Sequence, residues 1–115
     1  MATMIVRMRV LTEAGSRVWI AVSGTLSPAT QHHIQQRLHH QAATGTREFY
    51  LDLRESRCTD AVTREHVGFL FAAVPDAHFH LIAAPDAVRD GIGTDPRFTV
   101  HPHLASAWNI WSQGD

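Results

Sequence analysis

The pattern of apolar and polar residues at the start of the chain predicts a β-hairpin. Residues 7–11 and 17–23 are apolar or alternate between apolar and polar positions, which is typical of strands. Gly15 lies between the two segments and suits a tight turn. The second segment is apolar on both of its faces, so we expect it to lie inside a sheet rather than at an edge.

Farther along the chain, helix-like and strand-like spacings alternate. Helices are predicted over residues 28–44, 61–74, 85–92 and 104–111, and strands over residues 47–53, 79–84 and 98–100. The element order ββαβαβαβα predicts one α/β domain, residues 1–115. Its sheet is expected to be mixed and mostly parallel, with the first strand antiparallel at one edge and the helices chiefly on one side.

The same spacing predicts which side chains face the core. Alternation in the strand over residues 47–53 points Phe49, Leu51 and Leu53 inward. Apolar positions in the helices recur every three or four residues. They are Ile34, Leu38 and Ala42 in the first helix, Val62, His66, Phe69, Leu70 and Ala73 in the second, and Leu104, Trp108 and Trp111 in the last. Each of these helices is therefore expected to bury one stripe.

The segment RCTDAVTRE, residues 57–65, lies where a strand is predicted to give way to the second helix. Asp is a preferred N-cap residue, and its carboxylate suits the positive end of a helix dipole. Asp60 is therefore expected to cap this helix. In the same way, Ser27 is expected to cap the first helix, with Pro28 as its first residue.

The residues GTLS at 24–27, the residues YLDL at 50–53 and the predicted helix over 104–111 occur in this order along the chain. Together they resemble motifs of the STAS domain family, which is typified by bacterial anti-sigma factor antagonists. Residues 24–27, GTLS, resemble the Gly-x-Leu-Asp element that follows the second strand of the family. Residues 50–53, YLDL, resemble its apolar-Leu-Asp-Leu strand, and the helix over residues 104–111 resembles its closing segment. The resemblance extends over residues 18–108 and implies the STAS fold.

In this family the corner before the second helix carries Asp-Ser-x-Gly. The resemblance implies that the serine is phosphorylated by a partner kinase of the histidine-kinase-like ATPase type. In this chain the four positions are Asp60, Ala61, Val62 and Thr63. A methyl group cannot accept a phosphate, so Ala61 would keep the domain unphosphorylated at this position. Thr59 and Thr63 are candidates for a displaced phosphosite.

The resemblance implies a non-catalytic regulatory module that binds a protein partner, either an anti-sigma ATPase or another STAS protein. A homodimer is left open. The expected partner-binding residues are Thr59, Asp60, Ala61, Val62 and Thr63. The alternative is a ligand-binding or transporter-accessory STAS module that uses the sheet face with Trp19, Tyr50 and His80. That face would be an exposed apolar patch or would be covered by the chain termini, and the sequence leaves both open.

Composition narrows the function classes further. A net charge of -1 offers no basic field for a nucleic acid, and the first ten residues lack the apolar run of a signal peptide or membrane span. Cys58 is the only cysteine, so no internal disulfide can form. A cytoplasmic protein without nucleic-acid binding or membrane insertion is therefore expected.

The sequence predicts neither an enzyme nor a cofactor. It contains no Gly-rich phosphate loop with a lysine and no Gly-x-Ser-x-Gly elbow. The histidines of the first helix never fall three or four residues apart, so they cannot form a helical metal pair. His78 with His80, and His101 with His103, could each share one face of a strand. No metal site is predicted from them.

Overall fold

In the computed structural model, residues 5–113 are described, and residues 1–4 and 114–115 of the predicted domain lie outside them. Within this range the elements follow the predicted order ββαβαβαβα. The strands are β1 (Val6–Ala14), β2 (Arg17–Leu26), β3 (Glu48–Cys58), β4 (His78–Ile82) and β5 (Phe98–His101). The helices are α1 (Gln31–Ala43), α2 (Arg64–Ala72), α3 (Asp86–Ile92) and α4 (Leu104–Gln113).

The strands form one sheet in sequence order, β1-β2-β3-β4-β5. β1 is antiparallel to β2, and each later pair is parallel. The crossovers through α1, α2 and α3 all step in the same direction across the sheet. Because such crossovers are right-handed, they place the three helices on the same face. The predicted fold class is confirmed.

Two hydrophobic clusters lie on the two faces of the sheet. The larger one joins strand side chains to α1, α2 and α3, and we call this side the helical face. The smaller one consists of Trp19, Tyr50, Ile82, Ala107 and Trp111. We call this side the α4 face, because α4 follows the last strand and folds back over the side that the crossovers leave open.

Helices α1 and α2 each begin about one turn later than the sequence predicts. Residues 27–30 form a turn in which the backbone N–H of Ser27 donates to Oγ1 of Thr30 (3.0 Å), and Thr30 occupies the N-cap position of α1. The helix therefore begins at Gln31 and not at Pro28. α2 begins at Arg64, after a turn that occupies the first positions of the predicted helix.

The buried stripes of α2 and α4 are rotated from the predicted ones. The buried residues are Val67, Leu70 and Phe71 in α2, and Ala107 and Trp111 in α4. Phe69 is 59% exposed and Trp108 is 51% exposed. Both segments contain more apolar residues than one stripe can bury, so packing against the sheet selects the face. The stripe of α1 is confirmed at Ile34 and Leu38.

Gly24, the glycine of the GTLS motif, lies where the chain before β1 meets the end of β2. Its φ is +104°, and a Cβ there would lie 2.1 Å from the carbonyl oxygen of Ile5. The adjacent N–H of Thr25 donates to that same oxygen (2.8 Å). Glycine is required here both for the backbone conformation and for the close approach.

Candidate functional site

Residues 59–63 connect β3 to α2 through an exposed turn. The N–H of Thr59 donates to the carbonyl of Leu26 (3.0 Å), and the N–H of Val62 donates to the carbonyl of Thr59 (3.1 Å). Asp60 and Ala61 at the tip are exposed, whereas Val62 packs against the core of the helical face. The turn therefore presents two side chains to solvent from a backbone that is held on both sides.

Thr63, and not Asp60, caps α2. Oγ1 of Thr63 accepts a hydrogen bond from the N–H of His66 (3.4 Å), and the N–H of Thr63 donates to Nδ1 of His66 (3.4 Å). These two bonds form a capping box. The prediction that Asp60 is the cap is wrong, because the chain completes a turn before the helix begins at Arg64.

The two candidate phosphosites differ in accessibility. Thr63 is exposed, and its hydroxyl lies 2.9 Å from Nδ1 of His66 within the cap. Oγ1 of Thr59 is buried and has no hydrogen-bond partner within residues 5–113. A kinase could therefore reach the hydroxyl of Thr63 without moving the turn, but not that of Thr59.

A shallow cleft of about 410 Å³ lies beside the turn, at the carboxyl ends of β3 and β4. Its walls include Thr59 and Asp60 on one side and Ala83 and Asp86 on the other. Ala83 has a φ of +53°, a conformation that is strained for a residue with a Cβ. Open α/β sheets often bind their ligands at this end of the strands. We call the turn and the cleft together the corner surface.

Cys58 also borders the cleft of the corner surface. Burial raises the pKa of its thiol above the ordinary value. A thiol nucleophile must ionise to react, so the local environment disfavours nucleophilic chemistry at Cys58.

The predicted ligand face is covered by α4. Trp19, Tyr50 and His80 are neighbours in register across β2, β3 and β4, and they are 4%, 1% and 5% exposed. The rings of Trp19 and Tyr50 stack with centroids 5.2 Å apart, and those of Tyr50 and His80 stack at 4.1 Å. Trp111 of α4 packs edge-on against Trp19 at 5.6 Å and Tyr50 at 5.0 Å. Of the two alternatives left open, the C-terminal segment covers the face, and these residues form no exposed patch.

Arg17 fastens the end of α4 to the sheet. Its guanidinium carbon lies 4.4 Å from the ring centroid of Trp111, which is a cation–π contact. The same guanidinium donates a hydrogen bond to the carbonyl of Trp111. The last turns of α4 are therefore held by both stacking and a charge-assisted hydrogen bond.

A hydrogen-bonded row continues from Tyr50 towards β5. Nε2 of His80 lies 2.8 Å from Oε1 of Glu48, and Nδ1 of His80 lies 3.0 Å from Nε2 of His101. The hydroxyl of Tyr50 donates to the same oxygen of Glu48 (3.1 Å), and Nδ1 of His101 lies 3.1 Å from Oγ of Ser106 in α4. A carboxylate only accepts, so neutral His80 carries its proton on Nε2 and accepts at Nδ1 from His101. We call these five side chains the polar row, which links β3, β4, β5 and α4: Glu48, Tyr50, His80, His101 and Ser106.

Burial controls the protonation of this row. Burial lowers the pKa of His80, although the hydrogen bond and charge of Glu48 partly offset it. Burial, together with the nearby charge of His78, also lowers the pKa of His101. Burial and Glu48 raise the pKa of Tyr50 to about 12. Both imidazoles and the phenol are therefore uncharged at neutral pH in the folded protein.

The sequence points to His80 and, in a separate histidine pair, to His101, but it does not point to Glu48 or Ser106. Alternation along β3 places Glu48 on the same side as Tyr50, a signal that is visible in the sequence. The contact with His101 depends on β5 lying next to β4, and the contact with Ser106 depends on the path of α4.

Within residues 5–113, no group of three or more His, Cys, Asp or Glu side chains could hold a metal ion. No helix in that range has the length and apolar character that crossing a membrane requires.

Comparisons with known proteins identify the fold. No protein-family model and no curated protein matches the sequence. Among solved structures, an anti-sigma factor antagonist from Mycobacterium paratuberculosis matches with a TM-score of 0.67 at 19% identity, covering 92% of this chain and 93% of that one. Unphosphorylated SpoIIAA matches with a TM-score of 0.65 at 10% identity over 95% and 100% of the two chains. Phosphorylated SpoIIAA, a Bacillus cell fate determinant, matches with a TM-score of 0.62 at 11% identity over 90% and 99%.

These likenesses confirm the STAS-like fold that the sequence motifs predict. At sequence identities of 19% or less, these structural likenesses establish only the architecture of the domain. They do not establish its function, because one fold carries many functions.

Proposed function

We propose that this STAS-like domain is a non-catalytic regulatory module that binds a partner protein through the corner surface and the start of α2. The observation that carries the proposal is the exposed tip formed by Asp60 and Ala61, which backbone hydrogen bonds hold at Thr59 and Val62. A turn that is already ordered loses little conformational entropy when a partner binds it. Such a turn is well suited to protein recognition.

The solved neighbours support a regulatory role, since they are described as anti-sigma factor antagonists. By analogy, the proposed partner is an anti-sigma ATPase or a second STAS domain, and a homodimer is one form of the second case. We place this interaction in the cytoplasm. The net charge of -1 agrees with a protein partner rather than a nucleic acid.

One of these neighbours, SpoIIAA, exists in phosphorylated and unphosphorylated forms. We propose that Ala61 stands where the family carries its phosphorylated serine, so that this domain lacks that switch. Partner binding would then depend on the abundance of the two proteins or on a ligand. The small Ala61 side chain at the tip also lets a partner backbone approach closely.

If a displaced phosphosite exists, we propose Thr63 rather than Thr59. Thr63 is exposed at the N-terminus of α2, where the helix dipole favours a phosphate, and His66 is adjacent. Mass spectrometry of the protein purified from its native cells tests this assignment. Phosphate found on Thr59 would contradict it, because that hydroxyl oxygen is buried.

Affinity capture with an Ala61→Asp variant tests the proposed interface. A second carboxylate beside Asp60 adds like-charge repulsion and a desolvation cost to any partner contact at the tip. We expect capture of an anti-sigma-type ATPase or a STAS protein to fall at least tenfold relative to the unmodified domain. The matched control is Ala105→Asp, the same substitution at an exposed position of α4 on the opposite side of the sheet.

Ala105→Asp should capture the partner as well as the unmodified domain does. Circular dichroism establishes that both variants are folded before they are compared. Equal capture by Ala61→Asp and Ala105→Asp would remove the corner surface from the interface.

A further inference from the structure

Part of the α4 face remains open to solvent. A depression of about 350 Å³ is lined by residues of β1, β2 and β3, next to the area that α4 covers. The register between β2 and β3 shifts between Ala21 and Ser23, which makes a bulge at this place. Bulges bend a strand and redirect its side chains, so this one shapes the floor of the depression.

The depression carries three guanidinium groups and two carboxylates. The Arg54 side chain donates three hydrogen bonds of 2.9, 3.1 and 2.8 Å to the carboxylate of Asp52, which is buried. Arg7 and Arg9 are exposed on the same side of β1, and within residues 5–113 their guanidinium groups have no ion pair or hydrogen bond. Glu55 lies on the β3 side of the depression. Two uncompensated positive charges therefore stand together on the β1 side.

An apolar groove of about 190 Å³ adjoins the charged depression and shares Leu11, Asp52 and Arg54 with it. Leu104 and Trp108 of α4 line its other side. Leu11 is 48% exposed and Trp108 is 51% exposed. Large apolar side chains that converge on an exposed groove are a usual sign of a binding surface.

We propose that the depression and the groove together bind a small amphipathic carboxylate. The carboxylate lies between the guanidinium groups of Arg7 and Arg9, and the apolar body of the acid lies between Leu11 and Trp108. Guanidinium groups match carboxylates geometrically and donate charge-assisted hydrogen bonds to them. Glu55 repels the anion from the β3 side and thereby directs it towards β1. This site lies outside the corner surface and is independent of the proposed partner binding.

The size and composition of the site fit this ligand class. Small-molecule sites usually enclose about 300–1,000 Å³ and combine an apolar lining with a few charged or polar groups. The depression supplies the guanidinium groups of Arg7 and Arg9, which have no ion pair within residues 5–113, and the groove supplies the large apolar walls of Leu104 and Trp108, while the Asp52–Arg54 ion pair borders both. An anion without an apolar body, or an apolar molecule without a charge, would use half of the site.

Isothermal titration calorimetry with octanoate, octanol and inorganic phosphate tests the proposal. Octanoate is expected to bind at least tenfold more tightly than either of the other two, because it engages both halves of the site. Arg7→Gln/Arg9→Gln should weaken octanoate binding at least tenfold. Arg47→Gln/Arg64→Gln makes the same charge change at exposed positions outside the site and should leave the affinity within twofold.

Nuclear magnetic resonance of the unmodified domain provides a test that does not depend on a variant. Octanoate should shift the backbone resonances of Arg7, Arg9 and Leu11 and the indole N–H of Trp108. The proposal is overturned if octanoate does not bind, if octanol binds equally well, if Arg7→Gln/Arg9→Gln leaves the affinity unchanged, or if the shifts map elsewhere.

Discussion

The two faces of the sheet are stabilised by different kinds of contact. On the helical face, three helices meet the strands through aliphatic and phenylalanine side chains. Phe79 is fully buried there, with its ring centroid 5.2 Å from that of Phe49 and 4.8 Å from that of Phe71. On the α4 face, one helix meets a stacked row of aromatic and imidazole rings, and hydrogen bonds join its polar members.

This difference indicates which kind of change destabilises each face. Close-packed apolar side chains respond to changes of volume and have no groups that titrate. A buried polar row depends on each proton being in place, because an unpaired buried polar group is costly. The helical face should therefore be sensitive to volume, and the α4 face should be sensitive to protonation.

The largest effect is expected from Phe79→Ala on the helical face. Removing a fully buried ring leaves a cavity, and such changes typically destabilise proteins by about 3–5 kcal/mol. Urea unfolding followed by circular dichroism measures the loss in the free energy of unfolding. A loss below about 1 kcal/mol, which is the range of well-tolerated core changes, would mean that this face repacks easily.

Gly91→Ala tests the packing of α3 against α2. A Cβ at Gly91 would lie 2.5 Å from Cβ of Val67, so the two helices must move apart, and overpacking of this kind costs about 1–3 kcal/mol. Gly68→Ala is the matched control, since nothing lies within 4 Å of its added Cβ. This control should stabilise α2 by about 0.5–1 kcal/mol. Urea unfolding that shows stabilisation by both substitutions would refute close packing between the helices.

Acidification tests the α4 face. The pKa values of His80 and His101 are lowered by burial, so the unfolded chain binds more protons than the folded one below the ordinary histidine pKa of about 6.5. The stability of the folded state is therefore retained above pH 6.5 and falls as the pH drops through the lowered pKa values. The polar groups around the pair include Glu48, Tyr50, His78 and Ser106, and Glu48 moderates the effect.

Urea unfolding between pH 7.5 and pH 5 measures this dependence. His80→Gln/His101→Gln should flatten the slope of stability against pH, because glutamine does not titrate. A slope that is unchanged in this variant would show that the acid response arises outside the α4 face.

The smallest effect is expected from Tyr50→Phe. The substitution removes the hydroxyl that donates to Glu48 but keeps the ring stacked between Trp19 and His80. Loss of one hydrogen bond should cost about 0.5–1.5 kcal/mol, measured by urea unfolding at pH 7.5. A larger loss would mean that the hydroxyl organises the whole row.

The fold was largely predictable because local patterns specify the elements and short connections limit the topology. Alternation in β3 places Phe49, Leu51 and Leu53 on the helical face, as the structure confirms. Helix starts were less predictable, since Ser27 and Asp60 both look like caps in sequence. Competing turns move the N-cap positions to Thr30, which makes no side-chain capping bond, and to Thr63, which does, and a propensity scale does not measure that competition.

The sequence by itself determined the order of the elements, the mixed sheet and the exposed corner between β3 and α2. These features follow from hydrophobic periodicity, turn residues and the handedness of crossovers, which act over short stretches of chain. The tertiary structure decided that α4 covers Trp19, Tyr50 and His80, and that His101 and Ser106 complete the buried row. Apart from the short-range bond between His101 and Ser106, these contacts join residues far apart in the chain, so packing selected them and no local pattern encodes them.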